Sequence, residues 1–452
     1  KSYDAATNLC VSYSTSVFTY DVSKPRSYVA LPADNSYRRQ LTLISGTASD
    51  TAGGSVVDVK VYVKRLSDNR WWATGGIWST DETPLPNTAL IPLGGGVWEW
   101  QRQDTELPNY LTSGTSYYVY TRAYDNAGNI EDLPGEGPVT FVWDVTSPTS
   151  TVTYPVDGGF YRTATLTTIS GTQADVSPFA GAKVAGVPAV VGAVKLSIQD
   201  LTYPSTYWDA TLSQWVETEV FNDAIVYSSS WVFTNIPTFE TGKRYRIRSR
   251  AYDAALPAPG NDQYTQFPQA GYTITFDTSP PTVFIQKPVD GGFYGSEITQ
   301  LDVISGTAVD YPSAPLVKSD IDYVRLAVRY GDNTYWDGTA WVVAVSTPWL
   351  PTVYNAGTGV WEYPGGQDGH SIPAWVDQTI YYITAEAFDR SGNTSGQLTY
   401  TITYDTSPPV SVIQLPNRAY HKAGELPVIS GTSSDPHTIK SDLERTEIAI
   451  FN

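Results

Sequence analysis

The chain has one cysteine, no methionine and three histidines in 452 residues. A single thiol, Cys10, excludes an intrachain disulfide, so each folded unit must stand on its core or on a metal rather than on sulfur staples. Cys10 itself reads as a buried or incidental thiol. His370, His421 and His437 lie beside no plausible nucleophile and give a serine or cysteine triad no support. Zinc-ligand spacing, a phosphate loop and a dinucleotide fingerprint are missing too. Carboxylate pairs recur in every unit at loop ends, which suits scaffolding better than a unique glycosidase pair, and no enzyme activity is expected. Cationic side chains are scarce: 28 Lys and Arg against 46 Asp and Glu, a net charge of −18. That shortage argues against nucleic acid and anionic membranes, and suits a soluble exterior or a protein that collects cations. No long apolar run is present; the stretch from Val187 to Val194 is short and interrupted by Pro188 and Gly192, so no membrane insertion is expected. The lack of methionine and an opening within a motif at Lys1-Ser2-Tyr3-Asp4 suggest an internal piece of a longer chain.

What the chain does have is repetition. Ile44-Ser45-Gly46-Thr47, Ile169-Ser170-Gly171-Thr172, Ile304-Ser305-Gly306-Thr307 and Ile429-Ser430-Gly431-Thr432 recur at spacings of 125, 135 and 125 residues, each with an Asp three residues after the Thr. Tyr3-Asp4, Tyr124-Asp125, Tyr252-Asp253 and Phe388-Asp389 keep the same register, as do Tyr20-Asp21, Trp143-Asp144, Phe276-Asp277 and Tyr404-Asp405. This is a tandem array whose period is of domain size, about 100–150 residues. The expected units are 22–144, 145–277 and 278–405, with 1–21 as the last strands of a preceding repeat and 406–452 as the first three of a following one.

Within a unit the hydrophobic period is two. Val57, Val59, Val61 and Val63 alternate with polar partners, as do Val194, Leu196 and Ile198, then Val324, Leu326 and Val328, then Ile448 and Ile450; each series reads as a half-buried strand. A later strand begins at Tyr117, Tyr245 or Tyr381, the tyrosine-corner position of an immunoglobulin-like sandwich, where the hydroxyl bonds back to upstream backbone; the alternative is a plain strand aromatic. Between them lies an aromatic hairpin, with Trp71-Trp72, Trp208 or Trp336 followed by Trp78, Trp215 or Trp341. A further strand carries Trp98, Trp231 or Trp361, expected in the core. Seven to nine short strands per unit make the fold class all-β, as tandem immunoglobulin-like β-sandwiches arranged end to end.

The Gly-Thr-Ala-x-Asp motif, the run Ala123-Tyr124-Asp125-Asn126-Ala127-Gly128-Asn129, its sister Ala387 to Asn393, and the Asp-Thr-Ser-Pro-Pro hinge at Asp277 and Asp405 give the pattern a family likeness. The chain resembles, over its whole length, the bacterial Ig-like domains of very large repetitive surface proteins and adhesins. The resemblance implies calcium at interdomain joints and an extracellular, cell-surface location.

In this topology the loops after the second and sixth sandwich strands lie at the end where the first strand begins. Asp21, Asp50 and Asp125 should therefore meet, as should Asp144, Asp175 and Asp253, then Asp277, Asp310 and Asp389, leaving Asp405 and Asp435 for a fourth joint. Clustered carboxylates repel unless a cation or a donor neutralises them. Structural Ca2+ fits, because it takes six to eight hard oxygens, which Asp side chains, the Asn129 and Asn393 amides and loop carbonyls can supply. The alternative is that each Asp caps loop amides in an Asx-turn. Ser279-Pro280-Pro281 and Ser407-Pro408-Pro409 favour extended, stiff linkers, hence a rod of roughly 40 Å per repeat.

Two functions follow. The first is a stalk or fibre segment whose partners are further repeats of the same longer chain and neighbouring chains in a fibre or surface layer. The second is a carbohydrate-binding module in which Trp72, Trp208, Trp336 and Trp341 are exposed and stack on glycans; against it, these indoles would pack over a sandwich edge. Leu85-Pro86-Asn87-Thr88-Ala89 resembles a sorting signal but reads as a loop, and Asn393-Thr394-Ser395 is a glycosylation sequon.

Overall fold

The computed structural model describes residues 2–451 apart from 11, 13–14, 52–53, 86–87, 133–136, 176–190, 203, 267, 297–300, 367–368 and 423. Four residues of the apolar stretch (187–190) and the middle of the sorting-like loop (86–87) thus lie outside the described residues. Among the described residues no helix is long and apolar enough to cross a membrane.

Alternation of β-branched and aromatic residues with polar ones produces strands throughout. The first sandwich comprises β1 (Arg26–Leu31), β2 (Ser36–Arg38), β3 (Leu43–Ser49), β4 (Val56–Arg65), β5 (Arg70–Ala73), β6 (Ile77–Ser79), β7 (Ala89–Gly94), β8 (Val97–Gln103), β9 (Thr115–Asp125) and β10 (Val139–Trp143). One sheet has the order β1-β3-β8-β7 and the other β2-β10-β9-β4-β5-β6. The same two-sheet order returns from Thr149 to Phe276 and from Thr282 to Tyr404, so the chain is all-β, with three immunoglobulin- or fibronectin-III-like sandwiches in tandem. Each has ten or eleven strands among the described residues, more than expected. The first strand divides between the sheets: Pro32, Pro155 and Pro288 follow its first half, and lacking an N–H they cannot extend that ladder. Its second half pairs in parallel with the last strand.

The repeated Ser-Gly-Thr has a packing cause. Gly46, Gly171 and Gly306 stand opposite Trp100, Trp231 and Trp361, and these indoles are fully buried. A Cβ on Gly46 would overlap the Tyr28 carbonyl oxygen and stand 2.6 Å from Trp100 Cζ2. Trp98, expected in the core, is half-buried, because it faces Ala48 and Trp100 takes the central place. Val57 is also displaced: a bulge between Val56 and Asp58 turns Val56 into the core and leaves Val57 53% exposed. Leu85, read as loop, is buried and bridges Val61.

The tyrosine corner is present in all three sandwiches. The hydroxyls of Tyr117, Tyr245 and Tyr381 accept from the backbone N–H of Thr112 (2.8 Å), Glu240 (2.9 Å) and Val376 (2.6 Å). The outer segments are less regular than expected. The described residues of 2–20 hold one bridge, Tyr3 to Leu9, rather than strands, and Cys10 is exposed. Among the described residues after Tyr404 only Val410–Leu415 and Ser430–Ser434 pair; Ile448 and Ile450 are exposed and outside any strand. A strand needs a ladder partner, and no described strand lies beside these segments.

Neighbouring sandwiches touch through loops. Leu256 bridges β2, with its N–H on the Tyr37 carbonyl (2.8 Å) and its carbonyl accepting from Arg39 N (2.9 Å), while Ala255 packs on Tyr37 and Val142. Between the second and third, Val317 N donates to the Gly242 carbonyl (2.9 Å), and the Arg390 guanidinium lies over the Phe160 ring.

Candidate metal centres at the joints

The sequence places Asp21, Asp144 and Asp277 just ahead of each first strand, Asp50, Asp175 and Asp310 after the second, and Asp125, Asp253 and Asp389 at the end of the long strand that carries the tyrosine corner. The fold brings them together as three triads. In each, one carboxylate oxygen per residue lies within 4.8 Å of the others: Asp21, Asp50 and Asp125; Asp144, Asp175 and Asp253; Asp277, Asp310 and Asp389. Asp405 and Asp435 are buried near the fourth joint, where Asp405 accepts from Ser407 N (3.0 Å) and Ser441 N (2.8 Å) and Asp435 lies 3.2 Å from His437 Nδ1.

Both readings of these aspartates, clustering and amide capping, apply at once. Asp125 Oδ1 accepts from Ala127 N (2.9 Å) and Asn129 N (2.7 Å), and Asp144 Oδ1 from Thr146 N (3.0 Å). Asn129 and Asn393, expected as oxygen ligands, enter as donors. Asn129 Nδ2 bonds to Asp125 Oδ2 (2.8 Å) and to the Asp21 carbonyl (3.2 Å); Asn393 Nδ2 bonds to Asp389 Oδ2 (2.7 Å) and to the Asp277 carbonyl (3.0 Å). Each amide thus pins the carboxylate loop to the linker backbone. Asn261 does the same at the second joint, with Asp253 Oδ2 (2.7 Å) and the Asp144 carbonyl (2.9 Å). Sequence reading missed it because eight residues, not four, separate Asp253 from Asn261. Asp4 and Asn8 repeat the carboxylate half of the clamp, with Asn8 Nδ2 2.9 Å from Asp4 Oδ2. The sequon asparagine, Asn393, is buried in this role.

Capping leaves some oxygens bare. Asp21 Oδ2, Asp50 Oδ2 and Asp175 Oδ1 are buried without a hydrogen-bond partner, and Asp50 is only 8% exposed. Burial pushes Asp175 up from 3.8 to about 7, with repulsion from Asp144 and Asp253 adding to it. Burial, with repulsion from Asp277 and Asp389 adding to it, pushes Asp310 up to about 6. Burial also raises Asp50, Asp253 and Asp389. At Asp125 burial is outweighed by the Asn129 side chain and the loop amides, and its carboxyl lies below the usual value. Unpartnered, buried, mutually repelling hard oxygens are the donor set that a divalent cation such as Ca2+ neutralises. The first and second triads, which hold the bare oxygens, fit that ion.

The tryptophan hairpins are more enclosed than expected. Trp72, Trp208 and Trp336 are buried, 0%, 8% and 3% exposed, and pair edge-on or tilted with Trp78, Trp215 and Trp341 at centroid separations of 5.3, 5.7 and 5.4 Å. Trp341 is half-buried, its Nε1 donating to the Ala374 carbonyl (2.7 Å). Three of the four indoles expected to be exposed, Trp72, Trp208 and Trp336, instead cover the sandwich core.

No family model matches the chain, and no curated protein matches it. Solved structures similar to it are multidomain. The FN1–FN3 domains of chicken CNTN1 match at 11% identity over 84% of this chain and 98% of theirs, with a TM-score of 0.26. A structure from a 1.5-MDa bacterial ice-binding adhesin matches at 11% over 86% of this chain and all of that one, with a TM-score of 0.28. A Ca2+-stabilized adhesin of an ice-binding Antarctic bacterium matches at 10% over 88% of this chain and 77% of that one, again at 0.28. Likeness at this level assigns no role to any residue of the joints.

Proposed function

We propose that the chain is a stalk or fibre segment of a large extracellular, cell-surface repetitive protein or adhesin, and that Ca2+ at the joints between its units stiffens it. The observation that carries this reading is the threefold return of one carboxylate triad at the same sandwich end, with bare buried oxygens at two of the three joints. The units are taken as 22–144, 145–277 and 278–405. Its partners are further repeats of the same chain and neighbouring chains in a fibre or surface layer; it has no catalytic role. A cation bound by two carboxylates on one unit and a third on the linker opposes bending, since any hinge motion must separate charge from ion. Small-angle scattering of the chelator-stripped chain, before and after adding Ca2+, tests this. A longer maximum dimension and a sharper distance distribution with calcium are expected. Identical curves, together with no heat of binding in calorimetry, would remove calcium from the account.

A further inference from the structure

The three joints are not equivalent, and the difference lies in one position. In the long strands that follow the second Asp of each triad, Val56, Val191 and Ile321 pair with Asp125, Asp253 and Asp389. Two residues ahead of those pairs stand Gly54, Ala189 and Ser319; Ala189 lies outside the described residues. At the first joint the position is empty of side chain. A Cβ on Gly54 would overlap both Asp21 Oδ2 and Asp50 Oδ2, the two oxygens without partners. At the third joint the position is filled. Ser319 is fully buried; its N–H and Oγ–H donate to Asp277 Oδ2 at 2.8 and 2.9 Å, and Oγ lies 3.4 Å from Asp310 Oδ2. None of the carboxylate oxygens of Asp277, Asp310 and Asp389 is left buried without a partner.

From this we infer that the residue at this position decides whether a joint takes a divalent cation: Gly54 leaves the first joint open to one, whereas Ser319 latches the third with a hydroxyl and an amide in the cation's place. The inference rests on the calcium reading above. A carboxylate oxygen facing two donors has its lone pairs occupied, and the serine side chain fills the volume an ion would need. The fourth joint repeats the amide half of the latch. Lys440-Ser441-Asp442 copies Lys318-Ser319-Asp320, Asp442 and Asp320 share a left-handed backbone (φ 57° and 65°), and Ser441 N donates to Asp405 Oδ2 at 2.8 Å. The chain therefore carries two kinds of joint, one stiffened by an ion and one stiff without it. Calcium withdrawal loosens the first joint and leaves the third as it was.

A reciprocal exchange in the full chain tests this, with Ca2+ bound per chain counted by equilibrium dialysis after chelator stripping. Gly54→Ser should remove one ion relative to the unsubstituted chain, Ser319→Gly should add one, and the double variant should restore the original count. Gly54 has no left-handed backbone, so serine is sterically admissible there once the carboxylates move. Should Gly54→Ser fail to fold, as far-UV circular dichroism would reveal, Ser319→Gly alone decides, because it retains the N–H to Asp277. An unchanged count in Ser319→Gly, or a loss of an ion on that substitution, overturns the latch while leaving calcium binding intact. No ion bound by the unsubstituted chain overturns the calcium reading itself, and the latch with it.

Discussion

Asp175→Asn should stabilise the metal-free chain and destabilise the calcium-loaded one. Burial and two neighbouring carboxylates hold the Asp175 carboxyl at about 7, against 3.8 ordinarily. A difference of that size corresponds to about 4 kcal/mol for a fully enclosed group; Asp175 is half-buried, and solvent screening reduces this to about 2 kcal/mol. The folded state binds the proton more tightly than the unfolded one. Without metal, stability contributed by the protonated form is therefore complete below about 4 and is lost as pH rises through about 7. At pH 8 the charged carboxylate is a cost, and asparagine removes it. For a unit of this size, about 2 kcal/mol shifts a melting temperature by roughly 6–10 °C. Calcium reverses the sign, because an ion binds the deprotonated carboxylate and, at a hundredfold excess over its Kd, contributes about 2.7 kcal/mol per site. Differential scanning calorimetry at pH 5 and pH 8, with chelator and with calcium, reads all four states. A metal-free Asp175→Asn chain that melts lower than its parent at pH 8, or a parent whose pH dependence has the same sign with and without calcium, refutes the reasoning.

Gly46→Ala places a methyl group against Trp100 and the Tyr28 carbonyl and should cost about 1–3 kcal/mol; an unshifted urea midpoint would show that the ladder gives way freely there. Trp336→Ala should cost about 3–5 kcal/mol, through lost packing on Trp341 and the lost Nε1 bond to the Ser371 carbonyl (3.0 Å). On a glycan array the same variant should behave as its parent does, and saturable glycan binding abolished by the substitution would restore the lectin reading. Asn261→Ala removes the amide that joins Asp253 to the linker carbonyl of Asp144, about 1–3 kcal/mol; scattering should report a wider spread of angles between the first two sandwiches, and an unchanged curve would mean that the Leu256 bridge and the Gln266 bonds to Val145 and Ser147 suffice.

The repeated words in the sequence marked the aspartates at strand ends and, in Ser-Gly-Thr, the strand positions where glycine meets a buried indole, and those are the places where the fold tolerates little change. The aspartate triads could be grouped from topology alone because each Asp sits at a strand terminus. Finer detail escaped for physical reasons. A bulge inserts one residue without altering the alternation around it, so Val57 looked like core where Val56 is. Trp98 and Trp100 share one strand face, and only the pairing of Trp100 with Gly46 tells them apart. The hairpin indoles looked exposed because a hairpin near a sheet edge is often solvated; here each packs on a second indole and against the core. Ser319 lies in a loop whose length differs between units, and only strand pairing shows that it replaces Gly54.

The parallel pairing of β2 with β10 has a mechanical meaning. Ser36, Tyr37 and Arg38 lie beside Phe141, Val142 and Trp143, and Phe160–Tyr161 and Phe293–Tyr294 lie likewise beside the last strands of their own sandwiches. Tension applied along the chain pulls these first and last strands in opposite directions along their common axis. Their hydrogen bonds are then loaded together, in shear, and must yield as a set; an antiparallel hairpin pulled at its open end would instead lose its bonds singly, in sequence. Each sandwich is thus fastened where traction enters and leaves it, an arrangement that resists extension by force independently of whatever holds the joints straight.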